Sequence, residues 1–186
     1  MSVPYAFLPR KKYVIMPYAF GIDKNGRPDA EARARLDKAY ASAKEKIERF
    51  DVIIFLGAGM SEYTQRYGVA SLAMASSLYL QEWGWPEDRI VMRPIGYSTM
   101  TETLALRDYL AGCKCFPDQV RVEVASSWWH APRVSATCMV FFGSSVRIVQ
   151  SSTEHTGKKL IIDIMREILA LPRSVLMAWI ARKKSA

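Results

Sequence analysis

Histidine and cysteine are scarce in this chain, and their scarcity narrows the chemistry open to it. Three cysteines (Cys113, Cys115 and Cys138) are an odd count with no framework spacing. That predicts reduced thiols and a cytoplasmic setting rather than a disulfide scaffold. Cys113-Lys114-Cys115 lacks the two-residue spacer and the second ligand pair of a zinc site, and no acidic cluster of ligand grade accompanies it, so no metal is expected. Long apolar runs are absent too: nothing approaches the roughly 20 residues of a membrane span. The apolar part of Met1–Pro9 is too short for a secretory signal. Helix-turn-helix, zinc-finger and aromatic ribonucleoprotein motifs are also missing, so the net charge of +8 is not expected to serve nucleic acid.

What is present is a long apolar inventory. Half of the 186 residues are hydrophobic, enough for one sizeable core. The positive charge is concentrated: residues 158–186 hold seven Lys or Arg against Asp163 and Glu167, so +5 of the +8 lies there. Strand and helix patterns alternate. Tyr13–Met16, Val52–Leu56, Ile90–Met92, Val120–Ala125 and Val146–Val149 read as strands, and the unbroken apolar run Val52–Leu56 suits a sheet covered on both faces. Between them, helices are predicted from Asp29 to about Phe50, over Gln65–Trp83, over Thr99–Leu110 and over Pro132–Phe142. A last helix, about Lys158–Ile180, should kink or break at Pro172. The expected fold is α/β: a Rossmann-like three-layer sandwich around a five-stranded, mainly parallel sheet. One domain spans 1–186, with its core at about 13–150 and a basic C-terminal helix over 158–184.

In such a sheet the loops after the strands gather on one edge, where ligands bind. Four of those loops carry unusual chemistry. Tyr18–Pro28, containing Asp23, is longer than the usual two to six residues; it is either a functional loop or a surface excursion. Gly57-Ala58-Gly59 lets backbone amides approach an anion, or simply makes a tight turn; it lacks the third glycine of a dinucleotide fingerprint. In Ser98-Thr99-Met100-Thr101-Glu102, Thr99 and Glu102 have capping-box spacing, and a hydroxyl facing a ligand would be an added role.

The fourth is Ser126-Ser127-Trp128-Trp129-His130-Ala131-Pro132-Arg133, directly after a strand. Ser126 and Ser127 can donate to a phosphate or carboxylate, His130 can serve as acid or base near neutrality, and Arg133 can clamp an oxyanion. Pro132 suits a first helical turn, which puts His130 or Ala131 at the cap. The tryptophan pair either stacks a flat ligand or packs. The second histidine, His155, lies in the polar loop Ser151–Gly157 and carries no assigned role.

These residues resemble the SanA/YdcF/ElyC-like family (domain of unknown function 218), whose last motif is roughly Thr-Ser-x-x-His-x-x-Arg-Ala. Residues 126–134 follow it with Ser for Thr and Val for Ala. The likeness runs from Tyr13 to about Val149, and Asp23, Gly26, Pro28, Arg35 and Ala39 match the family's opening pattern. Two acidic positions depart from it: Val69-Ala70-Ser71 replaces Ser-Glu-Ala, and at the third helix Thr101 matches while the acid falls one position away, at Glu102. The resemblance implies a Rossmann-like fold with a pocket at the strand ends. Nucleotide-like ligands including S-adenosylmethionine come with it, although the usual adenosylmethionine signature is not evident.

Three functions compete on the sequence. In the first, an anionic, phosphorylated or nucleotide-like small molecule is held by Gly57, Gly59, Thr101, Ser126 and Ser127, neutralised by Arg35 and Arg133, with His130 as general acid or base. In the second, the C-terminal helix is a peripheral membrane or protein contact. It carries apolar stripes at Ile161, Ile164, Met165, Ile168 and Leu169 and at Val175, Leu176, Trp179 and Ile180, followed by Arg182-Lys183-Lys184. The third is nucleotide or S-adenosylmethionine binding through the tryptophan pair.

Overall fold

The computed structural model describes residues 11–18, 21–113, 120–143, 146–152 and 156–184. The readings made of Met1–Pro9, Cys115 and His155 fall outside the described residues, as do residues 19–20 of the long first loop.

Five strands form one sheet: β1 (Lys12–Pro17), β2 (Asp51–Ala58), β3 (Ile90–Gly96), β4 (Val120–Ser127) and β5 (Val146–Ser151). Their spatial order is β3-β2-β1-β4-β5 and every pairing is parallel, with Val14 opposite both Ile53 and Val122. The helices are α1 (Ala30–Lys46), α2 (Glu62–Arg66), α3 (Leu72–Glu82), α4 (Thr99–Gly112), α5 (Ala131–Phe142) and α6 (Gly157–Lys184). The fold is thus an open, Rossmann-like α/β sandwich.

Strand side chains alternate between two faces. Tyr13, Ile15, Ile54, Leu56 and Ala125 meet Leu36, Ala39 and Leu80 of α1 and α3. Val14, Met16, Phe55, Val122 and Val124 meet Leu106 of α4 and Val134 and Cys138 of α5. Helix α6 lies outside this second layer, packed on α5 and α4.

Several boundaries differ from the sequence reading, each for a local reason. The stretch expected as one helix over Gln65–Trp83 is two. Gly68 adopts φ +67°, which stops α2, and Ser71 restarts the chain as the N-cap of α3, its Oγ accepting from the Met74 amide at 3.0 Å. Strand β3 continues through Pro94, which is tolerated because β3 is an edge strand. Helix α6 runs unbroken across Pro172. That proline is exposed, so its ring and the helix hydrogen bond it cannot donate lie away from the core. Ser126 and Ser127 belong to β4 itself, opposite Gln150 and Ser151, rather than to the following loop.

The cap of α4 is also shifted by one residue from expectation. Ser98 Oγ accepts from the Thr101 amide at 3.3 Å, and Thr101 Oγ1 accepts from the Ser98 amide at 2.9 Å. Thr99 and Glu102 are thereby released from capping. Ser98→Ala should cost about 1 kcal/mol, visible as a melting point lower by about 2–4 °C in a chain of this size. An unchanged melting point would contradict the assigned cap.

Candidate functional site

In the order β3-β2-β1-β4-β5 the connections leave β1 and β4 towards opposite faces of the sheet, which opens a crevice at their carboxyl ends. A cleft of about 280 Å³ occupies that edge. Its walls come from every layer: Tyr18 after β1, Ala58 of β2, Gly96 to Thr99 and Glu102 around the start of α4, Arg35 of α1, Trp129, His130 and Arg133 around the start of α5, and Glu167 of α6.

His130 caps α5 through its backbone; its ring makes no capping bond and points into the cleft. Nε2 lies 3.3 Å from Thr99 Oγ1, and Nδ1 lies 3.6 Å from Glu167 Oε2. The residue is 6% exposed. Burial first, then the Arg35 and Arg133 charges, hold its pKa well below the ordinary 6.5, so the ring is neutral at pH 7. With a proton on Nδ1 facing Glu167, Nε2 presents a lone pair to the Thr99 hydroxyl. Glu167 is itself pushed up by burial, opposed by Arg133. Arg133 grips it with Nη2 at 2.8 Å from Oε1 and Nε at 2.7 Å from Oε2.

Arg35 is fully buried. Nε donates to Ser127 Oγ at 2.9 Å and Nη1 to the Tyr18 carbonyl at 3.2 Å, while Nη2 lies 3.7 Å from Glu31. Ser127 in turn donates to Glu31. Desolvation pulls the Arg35 pKa down to about 10, against the opposing pull of Glu31. The guanidinium also sits 5.6 Å over the Trp129 ring, so that aromatic face is occupied.

Behind His130 runs a neutral relay. Tyr18 Oη meets Thr103 Oγ1 at 2.5 Å, Thr103 donates to the Thr99 carbonyl at 2.6 Å, and Cys138 Sγ lies 3.6 Å from Tyr18 Oη. Burial drives the Tyr18 pKa well up and that of Cys138 to about 11, which keeps both protonated.

Of the residues singled out in the sequence, the structure brings Arg35, Thr99, Glu102, Trp129, His130 and Arg133 to the cleft. Ser127 supports them from below, its hydroxyl engaged by Arg35 and Glu31. Ser126 is fully buried on the other face of β4 and does not line the cleft; its hydroxyl has no hydrogen-bond partner among the described residues. Gly57 and Gly59 permit close packing: a Cβ on Gly57 would sit 3.4 Å from the Glu102 backbone and one on Gly59 2.8 Å from the Pro94 carbonyl. The Gly59 amide donates to the Gly96 carbonyl at 2.7 Å, which leaves it no proton for an anion. Thr101 serves the α4 cap, and Asp23 closes its own turn by accepting from the Asn25 and Arg27 amides. Trp129 is buried, while Trp128 is 45% exposed.

Sequence reasoning missed Glu167 and Glu31. Glu31 had a signal, since it precedes Arg35 by one helical turn. Glu167 is one of two acids in a basic helix, a weaker hint that it faces inward. No cluster of three or more His, Cys, Asp or Glu suited to a metal occurs among the described residues. No helix among them is long and apolar enough to cross a membrane. The chain matches no family model, no curated protein and no solved structure.

Proposed function

We propose that the cleft binds a small molecule bearing an anionic group, phosphorylated or nucleotide-like, and that His130 moves a proton on it. One observation carries this reading: a buried, neutral imidazole stands between the Thr99 hydroxyl and the Glu167 carboxylate, with two guanidinium groups in the same wall. Arg133 is the group that receives the anion. Its side chain is one-fifth exposed, and its present partner Glu167 is a carboxylate that burial disfavours as a charge. A ligand oxyanion can replace or share that ion pair. Arg35, locked to Ser127 and Glu31, contributes its field from behind.

Membership of the SanA/YdcF/ElyC-like family fits the same reading. The motif pieces carrying that likeness, Arg35 in the first helix and Ser127 to Arg133 from the last residue of β4 into α5, meet through the Arg35–Ser127 hydrogen bond although 92 positions separate them. An adenine-bearing ligand in the cleft would meet the exposed Tyr97 ring, because Arg35 covers Trp129 and Trp128 lies in the neighbouring groove.

A thermal-shift panel of phosphorylated metabolites, nucleotides and S-adenosylmethionine tests the binding. A ligand at about a hundred times its dissociation constant adds roughly 2.7 kcal/mol, several degrees of melting point. The shift should disappear in Arg133→Ala and persist in Lys158→Ala, which lies outside the cleft. A shift that survives Arg133→Ala would place the ligand elsewhere.

A further inference from the structure

Helix α6 presents an apolar face to its surroundings. At about 100° per residue, Ile161, Met165, Leu169, Leu176 and Trp179 fall on one side of the helix, opposite the side packed on α5. All five are exposed, Met165 to 54% and Leu169 to 75%. The helix runs 28 residues, or about 42 Å.

The charges around that face have a single sign. Both acids of α6 turn inward: Asp163 is buried and Glu167 is held by Arg133 and faces His130. Lys158, Lys159, Arg166, Arg173 and Lys183 are exposed, at the two ends of the apolar face and along one flank. Lys183 lies 3.8 Å over the Trp179 ring, which joins the cation to the apolar surface as at a headgroup boundary. Apolar surface also continues sideways, since Ile164, Ile168 and Leu171 form a groove with exposed Trp128.

A second copy of the chain is a poor occupant for this face. Whether two α6 helices met parallel or antiparallel, lysine-bearing ends would meet lysine-bearing ends, with no outward acid to offset them. A surface that is apolar within and negative at its boundary complements the face throughout. We infer that α6 is an in-plane docking helix that seats the protein on an anionic lipid bilayer. The apolar face is buried at the acyl boundary and the lysines and arginines lie among the headgroups.

The test is co-sedimentation of the full chain with phosphatidylcholine vesicles that contain or lack phosphatidylglycerol. Binding is expected to the anionic vesicles, with little to pure phosphatidylcholine, and should weaken as salt rises. Met165→Glu/Leu169→Glu should reduce it by about tenfold or more. The same variant should melt where the wild type does, because both residues are exposed. Arg166→Glu/Arg173→Glu should weaken anionic binding comparably. Failure to bind anionic vesicles, equal binding to both vesicle types, or binding unchanged in the Met165/Leu169 variant would each overturn the inference. A wild-type dimer in light scattering that the Met165/Leu169 variant converts to monomer, without vesicle binding, would overturn it in favour of a second copy.

Discussion

Arg35→Met should lower the stability of the protein by about 3–5 kcal/mol, because it removes one half of a buried ion pair. The cation sits at zero exposure and ties three elements together: Ser127 of β4, the Tyr18 carbonyl after β1, and Glu31 of α1. Its removal takes a countercharge away from the Glu31 carboxylate, itself fully buried, which Ser127 still donates to. In a chain of this size the loss corresponds to about 6–20 °C of melting point. Removing both charges in Glu31→Met/Arg35→Met should recover part of it, since an apolar pair takes the buried carboxylate away as well. Denaturant titration of the two variants separates the cases. An Arg35→Met protein within about 1 kcal/mol of wild type would mean that the pair does not organise the site, since a weak surface pair is worth no more than that.

The second large effect concerns chemistry. His130→Gln should reduce turnover of whichever panel ligand is a substrate by about a hundredfold to ten-thousandfold, the range for loss of a positioned base. Binding should change little, because the anion is held by Arg133. Equal turnover in the variant would remove His130 from the mechanism. The pH behaviour gives an independent check. The folded pKa of His130 lies below the ordinary 6.5, so on acidification the unfolded chain takes up a proton that the native protein refuses. Stability therefore falls as pH drops below about 6.5 towards the folded value, by at most about 1.4 kcal/mol per pH unit. Glu167 acts in the opposite sense. Its folded pKa lies above the ordinary 4.5, so between those two values the native protein takes up the proton first and gains stability on acidification. His130→Gln should flatten the acid limb that begins near pH 6.5, whereas Glu167→Gln should leave that onset in place. Catalysis itself should stay constant through neutrality on its acid side, because the base remains unprotonated there.

The sheet was legible because its signals are local. The apolar runs at Tyr13–Met16, Val52–Leu56 and Val120–Ala125 announce buried parallel strands, and Asp29 caps α1 as its type predicts, accepting from the Ala32 amide at 2.8 Å. The edge that carries the cleft was legible for the same reason, since alternation of strand and helix fixes which loops share an edge. The role of each polar group within it was not. Gly57 and Gly59 read as an anion cradle, but in the fold they let α4 and the end of β3 approach β2. That approach depends on Glu102 and Pro94, which lie far along the chain from these glycines. Ser127 read as a ligand donor and is consumed by Glu31 and Arg35. Glu167 reaches His130 from the last helix, and no spacing rule links residues 37 positions apart across a packed layer. Whether Ser98 or Thr99 caps α4 turned on a single residue of offset, which two adjacent hydroxyls cannot resolve.

The most direct single measurement is a nitrogen-15 NMR titration of the His130 imidazole, assigned by comparison with His130→Gln. A neutral ring with its proton on Nδ1 at pH 7, and no protonation as pH is lowered through 6.5, is the expected result. A ring that titrates near 6.5, or that carries its proton on Nε2, would contradict a base held between Glu167 and the Thr99 hydroxyl.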